Sequence, residues 1–123
     1  HLSLRRQRQM CIRDRIHRSI SEMIKFVERY GGKASTVYGL AGLGDLYVSS
    51  AGGRNSKMGY YLGQGYLFKE AKEKFMKEIT IEGADLAYEI GPKILKEFKE
   101  KEFPLLFSVI KSICNNQKLE INW

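Results

Sequence analysis

Eight of the chain's twelve glycines fall between Gly39 and Gly65, in the order Gly39-Leu40-Ala41-Gly42-Leu43-Gly44-Asp45, Gly52-Gly53-Arg54-Asn55-Ser56-Lys57-Met58-Gly59 and Leu62-Gly63-Gln64-Gly65. Glycine at that density is costly in an ordinary helix. It favours tight turns and places where backbone comes close to backbone or ligand. The stretch therefore separates two periodic regions and is itself the candidate site.

On either side the apolar residues recur every three or four positions. Ile16, Ile20, Met23, Ile24, Val27 and Tyr30 share one helical face, and Gly31-Gly32 follows as a stop. Ser35 or Thr36 can cap a short helix through Val37, Tyr38 and Leu40. Arg54 to Leu62 and Phe68 to Lys77 are helix-compatible, with Gly63-Gln64-Gly65 between them. From Ala84 the residues Ala87, Ile90, Ile94, Leu95 and Phe98 keep a helical period, and Gly91-Pro92 predicts a kink or a break. Phe103-Pro104 opens a last helix with Leu106, Val109, Ile110 and Ile113 inside, and Asn115-Asn116 ends it. Ile79-Thr80-Ile81 favours β structure but is too short for a sheet strand. The expectation is one all-α domain, a bundle of five or six helices.

Composition narrows the partners. At 123 residues the chain has room for one modest core. No apolar run approaches the roughly 20 residues of a membrane-spanning helix, so a soluble chain with no membrane partner is expected. The net charge of +7 is uneven. Residues 1–15 hold five arginines against Asp14, and the rest of the chain carries only +3. A basic arm of this kind can bind nucleic acid. Here it lacks an aromatic platform, and Arg6 to Arg15 looks like translated adapter sequence. Residues 1–15 are expected to be a non-native or disordered basic arm, residues 16–123 the domain, and nucleic acid no partner. Cys11 and Cys114 form no disulfide framework, which fits a reducing cytoplasm. His1 and His17 lack the support a metal site needs, so no metal is expected.

Arg54 follows two glycines and opens a helix, so its guanidinium and the free amides of the first turn can converge on one anion, naturally a phosphate ester. Asn55 can both donate and accept, which suits a phosphate oxygen or a polyol hydroxyl. Asp45 can accept from a substrate hydroxyl or orient a lysine. Ser49 and Ser50 add smaller polar contacts. Each has a plainer reading as well. Asp45 can cap a helix or make an Asx turn, and Arg54 can be a surface arginine paired with a glutamate. Gly42-x-Gly44 has no strand before it and no third glycine, so it is no dinucleotide fingerprint.

The motif order Gly-Leu-Ala-Gly-Leu-Gly-Asp-Leu (39–46), Gly-Gly-Arg-Asn (52–55), Leu-Gly-Gln-Gly (62–65), Ile-Glu-Gly (81–83) and Phe-Pro-Leu (103–105) closely resembles the C-terminal domain of NAD(P)-dependent glycerol-3-phosphate dehydrogenases. The resemblance covers residue 16 onward. It implies a helical domain like the C-terminal one of 6-phosphogluconate dehydrogenase, set against a nucleotide-binding α/β domain. The implied reaction is hydride transfer between NAD or NADP and the C2 carbon, interconverting dihydroxyacetone phosphate and sn-glycerol 3-phosphate.

By motif, Asp45 resembles the aspartate beside the catalytic lysine, Arg54 the arginine that meets substrate phosphate and cofactor, and Asn55 the neighbouring substrate ligand. Ser49 stands where some members have threonine. Gly53 stands where many bacterial members have a substrate-contacting serine, so only its backbone can contribute. Glu82 resembles a cofactor-contacting Glu or Gln. Ser19 replaces a usual glycine. The family's cofactor fingerprint and catalytic lysine precede the region seen here, so the chain alone is expected to be inactive. The partner expected is a small-molecule substrate, with a homodimer possible. A different class of reading is a non-catalytic helical module that binds a protein partner or an acidic surface.

Overall fold

The computed structural model describes residues 2–39 and 52–122, with side chains from Asp14 onward within those ranges. Among the described residues there are six helices and no strand: α1 (Leu2–Arg29), α2 (Ala34–Tyr38), α3 (Arg54–Gly63), α4 (Phe68–Phe75), α5 (Glu82–Glu97) and α6 (Pro104–Cys114). The all-α class expected from the periodicity is the class observed. None of these helices is long and apolar enough to cross a membrane. The chain divides into two compact units, residues 1–45 and 46–123.

In the first unit α1 packs with α2. The helix begins at Leu2 rather than near Arg15. Leucine, arginine, glutamine and methionine are good helix formers, and no glycine or proline interrupts them before Gly31. Its end is set by Gly31, whose φ of 84° is left-handed. The Gly32 amide donates to the Val27 carbonyl (2.8 Å) and the Gly31 amide to Glu28 (3.1 Å), the two bonds of a Schellman stop. The Ser19 hydroxyl donates back to the Arg15 carbonyl at 2.8 Å, so this departure from glycine is absorbed within the helix. Lys33, not Ser35 or Thr36, is the N-cap of α2, and it makes no side-chain cap bond.

The second unit holds the main core. Met58 and Leu62, one turn apart on α3, are buried with Phe68, Ala71, Met76, Ile81, Ala84, Ala87 and Ile113. This anchors α3 on α4 and α5 and so fixes where the first turn of α3 lies. Gly59 and Gly63 sit inside α3, and a Cβ on either would meet nothing within 4 Å among the described atoms. Gly63 is the last residue of α3, directly before the turn through Gln64 and Gly65 that the sequence places there.

The Gly91-Pro92 pair does not break α5, which runs unbroken from Glu82 to Glu97. Pro92 is exposed, as is Tyr88, whose carbonyl loses the proline's missing donor, so water can take that carbonyl. Gly91 is buried against α6: a Cβ there would lie 2.9 Å from Ile110 Cγ2 and 3.0 Å from Cys114 Sγ. The last helix starts with Pro104 in its first turn, as its missing N–H allows. Phe107, Ile110 and Ile113 are buried, whereas Leu106 and Val109 are only half-buried.

Asn116, just beyond α6, has φ 52° and accepts from the Lys69 amide at 3.0 Å, capping the first turn of α4 from 47 residues away. Asn116→Ala is expected to cost about 1–2 kcal/mol through loss of the cap and left-handed strain, read as a lower urea midpoint.

Burial pushes the Cys114 thiol up, and the thiol donates to the Ala87 carbonyl at 3.3 Å. Burial, then the nearby Cys114 and Asp85 charges, push the Tyr88 phenol up. Both groups are neutral when protonated, so the folded state holds these protons more tightly than the unfolded chain. Their stabilisation is complete below the ordinary thiol and phenol values and is lost as pH rises through the raised ones. The thermal midpoint is expected to fall in that alkaline range, less steeply in Cys114→Ala.

Candidate functional site

The site residues that the structure describes all lie in the second unit, where two helix ends meet. Gly53 is the N-cap of α3 with φ 115° and ψ 165°, a region essentially restricted to glycine. A serine at this position would be strained in this conformation, so Gly53 offers backbone alone. The Lys57 amide is the first to bond within the helix, donating to the Gly53 carbonyl at 3.0 Å. The amides of Arg54, Asn55 and Ser56 therefore have no partner within the helix, at the positive end of its dipole.

The second helix end is that of α5. Its N-cap, Ile81, has no side chain able to cap. The Gly83 amide instead donates to Asn55 Oδ1 at 3.0 Å, so a side chain from the first turn of α3 caps α5. Arg54 Nη1 donates to the Thr80 carbonyl at 3.3 Å, using one of the guanidinium's five N–H groups. Arg54 is thus tied to a carbonyl and, among the described residues, makes no ion pair with a glutamate. The sequence reading begins the helix at Ala84, whereas α5 begins at Glu82, so Glu82 and Gly83 lie in its first turn.

Arg54, Asn55 and Glu82 line a cleft of about 220 Å³. That is below the roughly 300–1,000 Å³ typical of sites for drug-sized ligands, so the cleft suits a small one. All three residues are exposed. Arg54 and Asn55 bring donors to this lining, and the Glu82 carboxylate brings acceptors. Such a mixture matches a phosphate that carries neighbouring hydroxyl groups.

Of the residues singled out from the sequence, the structure brings Arg54, Asn55 and Glu82 together and places Gly53 at the head of the same helix. Asp45 and Ser49 lie outside the described residues. Thr80 and Gly83 were not singled out as contacts. The available signal was a glycine in the first turn of a helix, with no turn to explain it. A larger, shallower cleft of about 390 Å³ lies among Phe68, Lys69, Lys72, Glu73, Lys77 and Tyr88. Lys72 there is committed to the end of α4, donating to the carbonyls of Met76 (2.7 Å) and Lys77 (3.1 Å). Among the described residues no three His, Cys, Asp or Glu side chains come together as metal ligands.

This is an all-α chain whose small cleft, at two joined helix N-termini, is suited to an anion. Its sequence, from residue 13 to 121, matches the family described as NAD-dependent glycerol-3-phosphate dehydrogenase C-terminus, and the chain belongs to that family. The NADP(+)-dependent glycerol-3-phosphate dehydrogenase of Archaeoglobus fulgidus is 35% identical over 108 residues, covering 84% of this chain and 31% of that protein. An NAD(P)+ glycerol-3-phosphate dehydrogenase of Agathobacter rectalis is 33% identical over 119 residues, covering 85% and 35%. The cytoplasmic NAD(+) enzyme of Drosophila melanogaster is 30% identical over 105 residues, covering 83% and 29%. The chain spans about a third of the length of these curated relatives. No solved structure matches it.

Proposed function

We propose that residues 16–123 are the substrate-binding helical domain of a cytoplasmic glycerol-3-phosphate dehydrogenase that interconverts dihydroxyacetone phosphate and sn-glycerol 3-phosphate, feeding glycerophospholipid synthesis. The observation that carries this reading is the joining of the α3 and α5 N-termini by Asn55 beside the Arg54 guanidinium. Amides without a partner in their helix and a guanidinium at one small cleft favour a phosphate. The family and the activities of the relatives supply the rest.

Arg54 holds the phosphate end of the substrate, and Asn55 holds it against rotation, so that C2 is presented in one orientation. A bound NAD or NADP supplies or accepts the hydride. Arg54 and Glu82 are the residues of this cleft that would hold the edge of such a cofactor, Arg54 as a donor to an anionic group and Glu82 as an acceptor for a hydroxyl. Asp45 orients the lysine that gives or takes the hydroxyl proton. That lysine is not among those in the motifs of this chain, so the chain by itself binds substrate without turning it over.

Calorimetric titration of the chain tests the binding claim. Glycerol 3-phosphate is expected to bind and glycerol to show no heat. Equal behaviour of the two would sink the phosphate reading.

A further inference from the structure

We propose that Gly83 is a positioning residue for ligand recognition: by lacking a side chain it lets the Asn55 amide dock on α5 and leaves Asn55 with its N–H donors as its offering to the cleft. The proposal rests on the reading of that cleft as a phosphate site and adds to it which end of the amide meets the ligand.

A backbone N–H can only donate, so the Asn55 atom 3.0 Å from the Gly83 nitrogen must be the carbonyl oxygen. The orientation of the amide follows from this bond, and Nδ2, on the other branch, carries the two donors that remain. Asn55 thereby loses the ambivalence it has in sequence. It favours a ligand group rich in acceptors, such as phosphate oxygens, over a hydroxyl that must donate.

Nothing in the backbone requires glycine at 83. Among the described residues positive φ values occur at Gly31, Gly53, Gly65 and Asn116, and not at Gly83. Glycine is disfavoured in a helix relative to alanine. The reason for it is spatial: a Cβ at 83 would lie 2.9 Å from Asn55 Oδ1, 3.2 Å from Cγ and 3.4 Å from Nδ2. All three are atoms of the one amide, at the end of a side chain that can swing away. Alanine would therefore displace Asn55 and leave the helix in place. The same connection also ties Arg54, through the Thr80 carbonyl three residues earlier. The segment from Thr80 to Gly83 thus holds both residues of the anion subsite.

The test uses the 123-residue chain with Gly83→Ala, Asn55→Ala and the double variant, titrated with glycerol 3-phosphate and compared by thermal midpoint. Gly83→Ala is expected to stay folded, with a midpoint within a few degrees of the parent, and to bind about 5–10-fold more weakly. Because Gly83 acts through Asn55, the double variant should bind no more weakly than Asn55→Ala alone. Unchanged affinity in Gly83→Ala, or a further loss in the double variant, would overturn the proposal. Should Gly83→Ala fail to fold, the double variant, which removes the clash, decides by the same comparison.

Hydrogen exchange at the Gly83 amide separates this claim from the phosphate reading. Exchange is expected to speed up at least about tenfold in Asn55→Ala, since the capping acceptor is gone. Equal rates would remove the positioning role even where glycerol 3-phosphate binds. If the parent chain binds no glycerol 3-phosphate, the phosphate reading falls together with the assignment of Asn55 donors to a ligand, and the exchange result still decides the docking of Asn55 on Gly83.

Discussion

Arg54→Ala is expected to weaken binding of glycerol 3-phosphate by about 10–100-fold, the loss typical when a charge-assisted hydrogen bond to an anion is removed. The effect on stability should be small, because Arg54 is exposed and its bond to the Thr80 carbonyl is long, at 3.3 Å. Arg54→Lys keeps the charge but not the planar fork, and should fall between the two. Calorimetry on the three proteins gives the order directly. In the full-length enzyme the same alanine change should raise KM for dihydroxyacetone phosphate and lower turnover. An unchanged affinity with an intact fold would remove Arg54 from the site.

The largest effect on stability is expected at Phe103. This ring is 2% exposed and packs on Phe98, with centroids 5.1 Å apart at 55°. It sits at the N-cap of α6, so it pins the connection between α5 and α6 as well as filling the core. Phe103→Ala should cost about 3–5 kcal/mol through lost transfer energy and the cavity left behind. Natural domains have only about 5–15 kcal/mol in total. Phe103→Leu retains most of the volume and should cost less, about 1–2 kcal/mol. Urea denaturation of both variants measures this, and a loss below 1 kcal/mol for alanine would contradict the burial.

Much of this was legible in the sequence because the signals are local. The helix-compatible run from Arg54 to Leu62 matches α3, Gly31-Gly32 announces the stop of α1, and Pro104 marks the start of α6. Arg54, Asn55 and Glu82 were singled out before their meeting was visible, and the structure joins them in one cleft. What sequence could not convey is the long-range capping. Asn116 serves a helix end 47 residues back and Asn55 one 28 residues ahead. Neither α4 nor α5 carries a cap of its own, and nothing in the order of residues says which distant amide will replace it. Two local rules also yielded to context. The Gly91-Pro92 pair continues a helix because Pro92 faces solvent, and Gly59 sits within α3 without a turn, whereas Gly63-Gln64-Gly65 does end it. Asp45 and Ser49 rest on the sequence alone, through their chemistry and the family resemblance.

The most direct measurement is an amide NMR titration of the chain with glycerol 3-phosphate. The account predicts saturable shifts centred on Arg54, Asn55, Ser56 and Gly83, including the Asn55 side-chain amide pair, with glycerol producing none. Shifts centred instead on the cleft of Phe68, Lys69, Lys77 and Tyr88, or no shifts at all, would contradict the assignment of the phosphate to the joined N-termini of α3 and α5.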